Sequence, residues 1–297
     1  MVFHPPVAIV AKAGDAGKYK VGLPAWNMVL RGFMAGAFIA MGGALATVCS
    51  TGIAYSAAQV TAGAVPGGFA SAGMAQLVLG AVFPVGLIII VLTGAELFTG
   101  DAMLAPMAAF VHKVSWIQVI NLWIWVYIGN LIGSVLFAYI MAYGPFVSFD
   151  STGAATVTAF GTRAIAIAAA KTSYVGLMGA WSAFLKAIAC NWLVNLAILL
   201  GICADDLIGK FFGIWFPIMA FVSSGFEHSV ANMYFIPAGI LTQGFITDPT
   251  KITASVNWVS MWTSNLIVVT LGNIVGGLLF VGVIYWVAFR KEIAALK

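Results

Sequence analysis

The sequence predicts an all-α integral membrane protein of six transmembrane helices, built from two inverted three-helix repeats, with helices 2 and 5 broken. Composition is the first ground. Of 297 residues, 62% are hydrophobic and 7% charged, whereas a soluble domain carries about 25% charged residues. Length is the second. Six apolar runs, near 26–50, 72–98, 115–143, 175–203, 211–240 and 258–289, each supply the roughly 20 residues a helix needs to cross a bilayer. The third is a set of polar marks inside those runs, in the same order in both halves.

Residues 1–25 form a polar cytoplasmic segment without the apolar centre of a signal peptide, so no cleavage is expected. Pro5, Pro6, Gly14 and Gly17 limit it to helix in short pieces. A single membrane domain covers 26–289, with repeat one at about 26–143 and repeat two at about 175–289; residues 290–297 are a cytoplasmic tail. The first span opens with Arg31 ahead of the small residues Gly32 to Gly36, and the fourth with Lys186 ahead of Ala187 to Asn191. The second span carries Thr93-Gly94-Ala95-Glu96-Leu97-Phe98-Thr99-Gly100-Asp101, and the fifth carries Ser224-Gly225-Phe226-Glu227-His228-Ser229-Val230-Ala231-Asn232. Both read small-Gly-x-Glu with Asp or Asn a few residues on. The third and sixth share Gly129-Asn130-Leu131-Ile132-Gly133 and Gly272-Asn273-Ile274-Val275-Gly276. A three-span unit used twice enters from opposite sides the second time, which makes the repeat inverted.

Each mark has a physical reason. Gly-x-x-x-Gly lets helices approach closely where lipid supplies no hydrophobic drive. Asn130 and Asn273, lying between those glycines, face protein rather than lipid. Asn130 reads as interhelical hydrogen-bond glue; Asn273, in the copy that also holds a membrane histidine, reads equally as glue or as part of a site. Gly beside Glu, followed by short polar residues, marks a break in the helix. A break at membrane depth exposes N–H groups and positive dipole ends, natural partners of an anion, and is tolerated only where it is buried or lines a cavity. Glu96 and Glu227 are therefore helix-break carboxylates. They are expected to accept freed N–H groups rather than to touch substrate, because a bare carboxylate repels an anion.

Orientation follows from the basic residues. With the N-terminus inside, Lys12, Lys18, Lys20, Arg31, Lys113, Lys210, Arg290, Lys291 and Lys297 fall on the inner side, and Arg163, Lys171 and Lys251 on the outer. This places both termini in the cytoplasm of a multi-pass cell-membrane protein. The net charge of +4 is thus a topology signal, and no basic patch interleaved with aromatics points to nucleic acid. Cys49, Cys190 and Cys203 fall in apolar spans without a CxxC and read as buried thiols. Of three histidines, His4 is in the tail, His112 in a cytoplasmic loop, and His228 alone is at membrane depth. One histidine makes neither a bis-histidine haem site nor a metal cluster, so no cofactor and no metal are expected. Beside a carboxylate in a helix break, His228 reads as a donor of a hydrogen bond or proton to a passing small solute.

Four motifs in order carry a family resemblance over about residues 20–290: Val91-Leu92-Thr93-Gly94-Ala95-Glu96-Leu97-Phe98-Thr99-Gly100; Cys190-Asn191-Trp192-Leu193-Val194; Gly225-Phe226-Glu227-His228-Ser229-Val230-Ala231-Asn232-Met233-Tyr234; and Gly272-Asn273-Ile274-Val275-Gly276-Gly277. The chain resembles the formate–nitrite transporter family, and within it the formate-channel branch that includes the transporters of methanogenic archaea. The resemblance implies an aquaporin-like fold and a homopentamer with one pore per subunit. It makes His228 the central pore histidine, with Thr99 and Asn191 as polar neighbours and Asn273 close by, and it makes Phe83, Leu87, Leu97, Phe98 and Phe221 the apolar pore constriction. Two positions depart from the family pattern. Asn195 stands where a cysteine is frequent, and Val175 stands at the usual vestibule lysine, so Lys171, one turn earlier, is the anion-vestibule candidate. Lys186 is expected to snorkel or pair.

The function implied is a channel-like transporter of small monovalent anions, formate first, moving with a proton as a symporter does, with the bilayer as its setting. Nitrite and hydrosulfide are the rivals within the class, because a hydrophobic slit separates formate and nitrite poorly. A neutral-solute pore of aquaporin type would require paired Asn-Pro-Ala caps and a selectivity arginine, and neither occurs here. An enzyme would need redox ligands or more polar residues at membrane depth.

Overall fold

The computed structural model describes residues 3–53 and 72–295. The stretch 54–71, inside repeat one as delimited above, and Lys297, one of the basic residues used for orientation, lie outside the described residues.

The elements run α1 (Pro6–Val21), α2 (Ala25–Cys49), α3 (Ala72–Val82), α4 (Val85–Thr93), α5 (Phe98–Phe110), α6 (Trp116–Tyr143), β1 (Val147–Phe149), β2 (Ala155–Val157), α7 (Ala159–Lys171), α8 (Gly176–Cys203), α9 (Leu207–Ser223), α10 (Ser229–Gln243) and α11 (Trp258–Ala295). Five stretches are long and apolar enough to cross a membrane: α2, the α3–α4 pair over Ala72–Thr93, α6, α8 and α11. The fifth span is assembled from α9 and α10, of 17 and 15 residues. At 1.5 Å per residue neither half-helix covers a core of about 30 Å alone.

Both breaks fall at the motifs that predicted them. Gly94 and Gly225 take φ of 76° and 70°, left-handed backbone that glycine adopts without the Cβ clash of other residues. The chain then runs extended through Leu97 and His228, which cap α5 and α10. The two half-helices therefore begin at equivalent points of the two copies. Close packing follows the glycine rows: a Cβ on Gly36 of α2 would collide with the carbonyl of Asn130 on α6, and one on Gly276 of α11 with that of Ile188 on α8.

Three features differ from the sequence expectation. Residues Pro6–Val21 form one continuous 16-residue helix rather than short pieces. Pro6 sits at the first helical position, where its missing N–H has no role, and Gly17 lies against the Leu104 carbonyl of α5, where no side chain fits. A two-stranded antiparallel hairpin, Val147 opposite Val157, precedes α7. Its turn is built on Asp150, whose Oδ1 accepts from Thr152 Oγ1 (2.6 Å), Thr152 N (2.8 Å) and Ala154 N (3.0 Å). These bonds, Thr152's hydroxyl first, hold the carboxyl below its ordinary pKa. Finally, α11 carries two π-helical segments, Met261–Leu266 and Leu278–Val283, on either side of Asn273.

The internal correspondence reaches back beyond the first span. Helix α1 packs on α5 as α7 packs on α10, and each leads to a tyrosine, Tyr19 or Tyr174, hydrogen-bonded to the basic residue of the following span.

Candidate functional site

The breaks are held by the asparagines of the Gly-x-x-x-Gly motifs. Asn130 Nδ2 donates to the carbonyls of Gly32 (2.8 Å) and Glu96 (2.9 Å), and its Oδ1 accepts from Phe98 N (3.0 Å). Asn273 repeats this bond for bond: Nδ2 donates to Ala187 O and Glu227 O, both at 2.9 Å, and Oδ1 accepts from Ser229 N at 2.8 Å. Every polar atom of the Asn273 amide is thus committed to the break, so its geometry is that of a brace, as at Asn130. Glu96 N and Glu227 N in turn donate to the carbonyls of Arg31 and Lys186.

The two carboxylates do not take up freed N–H groups, as the sequence reading expected; the asparagine oxygens do. Glu96 and Glu227, each 2% exposed, are instead enclosed by cations and neutral donors, which answers the cost of burying a charge. Glu96 pairs with Lys20 from α1 and, at 3.6 Å, with Arg31. Glu227 accepts from Lys171 Nζ (2.8 Å), Tyr174 Oη (2.9 Å) and Asn232 Nδ2 (2.7 Å). Asn265, turned inward by the first π-helical segment, adds a longer bond at 3.3 Å. The copies diverge five residues past each Glu. Asn232 bridges Glu227 to Asn265, whereas the fully buried Asp101 has Lys20 Nζ 3.1 Å from its Oδ1.

Between the two half-helix N-termini, Thr99 Oγ1 and His228 Nε2 meet at 2.9 Å. The tautomer follows from the partners. His228 Nδ1 accepts the Ala231 backbone N–H at 3.0 Å and so caps α10, which leaves the proton of the neutral ring on Nε2. Nε2–H donates to Thr99 Oγ1, and the threonine's own hydrogen stays free to donate onward. Thr99 is fixed through its carbonyl, which accepts from Asn191 Nδ2 (3.0 Å) and Asn195 Nδ2 (3.1 Å). Asn191 therefore meets the histidine through Thr99 rather than directly. The amides of Leu97, Thr99, His228 and Val230, at the dipole-positive ends of α5 and α10, take no acceptor among the described residues.

On the face opposite the termini, a cavity of about 500 Å³ leads down to His228, with Arg163, Lys171, Lys186 and Tyr174 in its wall. Next to it is an apolar neck too narrow for a water-sized sphere, walled by Ile39, Phe83, Leu87, Leu97, Val194, Ile218, Phe221 and His228. The His228 ring stacks on Phe221 at 5.7 Å, and Phe83 meets Phe221 edge-on at 6.0 Å. Four of the five expected constriction residues are in this wall. Phe98 is not: it is packed edge-on against Tyr127 (5.0 Å) and Trp123 (6.2 Å) of α6. Its backbone N–H is tied to Asn130, also of α6. Lys171 lines the cavity but is bonded to Glu227.

Sequence reading missed Tyr174 and Asn265 as partners of Glu227, Arg163 as a wall residue, and Ile39, Val194 and Ile218 of the neck. The apolar three carry no mark that separates them from lipid-facing neighbours. Tyr174 had a findable signal, its place twelve residues before Lys186, matching Tyr19 before Arg31.

Comparison with known proteins bears on this arrangement. The family model described as formate/nitrite transporter matches residues 7–287. A probable formate transporter of Methanothermobacter thermautotrophicus is 43% identical over 292 residues, covering 96% of this chain and 97% of the relative. A formate channel of Bacillus thuringiensis is 34% identical over the full length of both. Among solved structures, a pentameric formate channel with formate bound superposes with a TM-score of 0.71 at 33% identity, covering 90% of this chain and 98% of that one.

Proposed function

Because the chain belongs to the formate/nitrite transporter family, we infer that it carries small monovalent anions across the membrane, formate foremost, by way of the Thr99–His228 pair. The observation that carries this reading is the position of that pair, where a cation-lined cavity meets an apolar neck. A charged solute in such a neck costs many kcal/mol more than its neutral acid, so the barrier falls steeply if formate crosses with a proton. The site supplies hydrogen bonds for that passage: Thr99's hydroxyl, His228 Nε2–H and the unpaired amides of the two dipole-positive helix ends. His228 serves as a neutral donor. A proton on Nδ1 would face the Ala231 N–H, so the α10 cap requires that nitrogen as an acceptor. Asn191, Asn195 and Asn273 are positioning residues, and Lys171 is the counterion of Glu227.

The relatives' formate-related names and the formate bound in the solved neighbour support formate ahead of nitrite; the family description keeps nitrite as the second reading. The same neighbour supports a homopentamer, and the distribution of basic residues supports cytoplasmic termini.

The test is uptake of labelled formate and of nitrite into proteoliposomes, with and without an inward proton gradient. Gradient-driven accumulation of formate above nitrite is expected. Faster nitrite flux moves the substrate; indifference to the gradient removes the proton from the mechanism; no flux of either anion from intact oligomers sinks the transport reading.

A further inference from the structure

The outer cavity has three cations in its wall, Arg163, Lys171 and Lys186, and one carboxylate, Glu227. Two of the cations are accounted for by the break. Lys171 Nζ lies 2.8 Å from Glu227 Oε1. Lys186 donates to Tyr174 Oη at 3.0 Å, and that hydroxyl donates to the same carboxylate at 2.9 Å. The other copy holds its break in the same way, with Lys20 on Glu96 and Arg31 on both Tyr19 Oη (3.0 Å) and Glu96. Devices that appear in both copies belong to the architecture.

Arg163 appears in one copy only. Aligning Tyr174 with Tyr19 puts Ala8 at its place in α1. It lies eight residues before Lys171 on α7, about 12 Å nearer the helix start at 1.5 Å per residue. It is half-buried, and its one hydrogen bond among the described residues is Nε to Ser50 Oγ at 3.4 Å. Among the described residues no carboxylate pairs with it. All nine Asp and Glu are described, and the stretch 54–71 contains none. Asp150 is spent on its hairpin turn. Asp248 caps its own turn beside Lys251 at 3.6 Å.

We propose that Arg163 is the anion-capture residue of the outer cavity, where a small planar carboxylate or nitrite is first held before it descends to Thr99 and His228. This rests on the transport reading above. The chemistry fits the position. A guanidinium presents a planar fork that matches both oxygens of a carboxylate or of nitrite. A partly buried cation in a concave, low-dielectric wall is screened less than one on a convex surface and raises the local anion concentration. With Lys171 paired to Glu227 and Lys186 engaged by Tyr174, Arg163 is, among the described residues, the wall cation without a carboxylate or tyrosine partner.

The experiment is formate flux against formate concentration in proteoliposomes, at low and high ionic strength, for wild type, Arg163→Gln and Arg163→Lys. The expected result for Arg163→Gln is a half-saturating concentration raised roughly three- to tenfold, with a smaller change in maximal flux and a flattened salt dependence. Arg163→Lys restores part of it, because charge is kept and the fork is lost. Wild-type half-saturation and salt dependence in Arg163→Gln would overturn the assignment, as would an equal loss of flux at every concentration, the mark of a structural role. If Arg163→Gln fails to assemble, phenylglyoxal labelling of the wild type, read at Arg163 by mass spectrometry, decides: protection by formate supports capture and no protection overturns it. A wild type that passes neither formate nor nitrite overturns the transport reading, and this assignment with it.

Discussion

At the scale of single residues, His228 holds two bonds that substitution can separate. Nδ1 caps α10 and Nε2 reaches Thr99. Asparagine caps helices well but does not reach as far. His228→Asn is therefore expected to lower formate flux about tenfold, the effect of ~1.4 kcal/mol at the barrier, with thermal unfolding nearly unchanged. Wild-type flux in that variant removes His228 from the mechanism. Leu97 and Phe98 make a second pair. They are neighbours in sequence and both buried, yet only Leu97 faces the neck. Leu97→Ala is expected to admit larger monocarboxylates such as acetate in flux assays. Phe98→Ala is expected to leave selectivity alone and to destabilise the fold by roughly 3–5 kcal/mol, the usual range for a buried phenylalanine truncated to alanine, seen as a lower Tm in detergent.

At the scale of elements, the broken spans rest on two kinds of glycine. Gly94 and Gly225 are there for their backbone angle, since a Cβ on either meets nothing within 4 Å. Gly94→Ala and Gly225→Ala should each cost about 1–2 kcal/mol, the ordinary price of left-handed backbone in an L-residue. Gly36 is there for space. Gly36→Ala drives a Cβ into the Asn130 carbonyl, so α2 and α6 must separate, and loss of folded protein in detergent is the expected readout. A mild Gly36→Ala effect would mean that the interface is looser than its geometry. Elements of this kind were legible in the sequence because their physics is local. Gly-x-Glu inside an apolar run, and Asn between paired glycines, mark a break and its brace without any tertiary knowledge. What was not legible depends on register. A π-helical segment turns Asn265 toward Glu227, and Phe98 packs on Tyr127 and Trp123 of α6; neither leaves a trace in residue spacing. The continuity of α1 was hidden for a different reason. Its glycines look like breakers from sequence and turn out to be contact points on α5.

At the scale of the whole molecule, the repeats share a frame and differ in charge. The terminal-face cluster sets Lys20 and Arg31 against Glu96 and Asp101, while the opposite cluster sets Lys171 against Glu227, with Lys186 reaching it only through Tyr174 and the neutral Asn232 in Asp101's place. Lys20→Met leaves two buried carboxylates short of a cation and is expected to destabilise the protein by about 3–5 kcal/mol. Adding Asp101→Asn, which copies the other repeat, should recover part of that loss; a Tm no higher in the double variant would mean that the two sites are not coupled. The twofold plan was readable from the order of the motifs, but the charge difference emerged only once partners were assigned. The bracing asparagines have a further consequence, for how the chain is built in the cell. Asn130 and Asn273 stand on the last span of each half and satisfy a break made more than thirty residues before them. During synthesis each half therefore stays unfinished until its third span leaves the ribosome, and each closes on its own keystone. Maturation is therefore expected to proceed as two successive assembly events, so a ribosome stalled between the second and third spans should leave a nascent chain that quality-control proteases recognise.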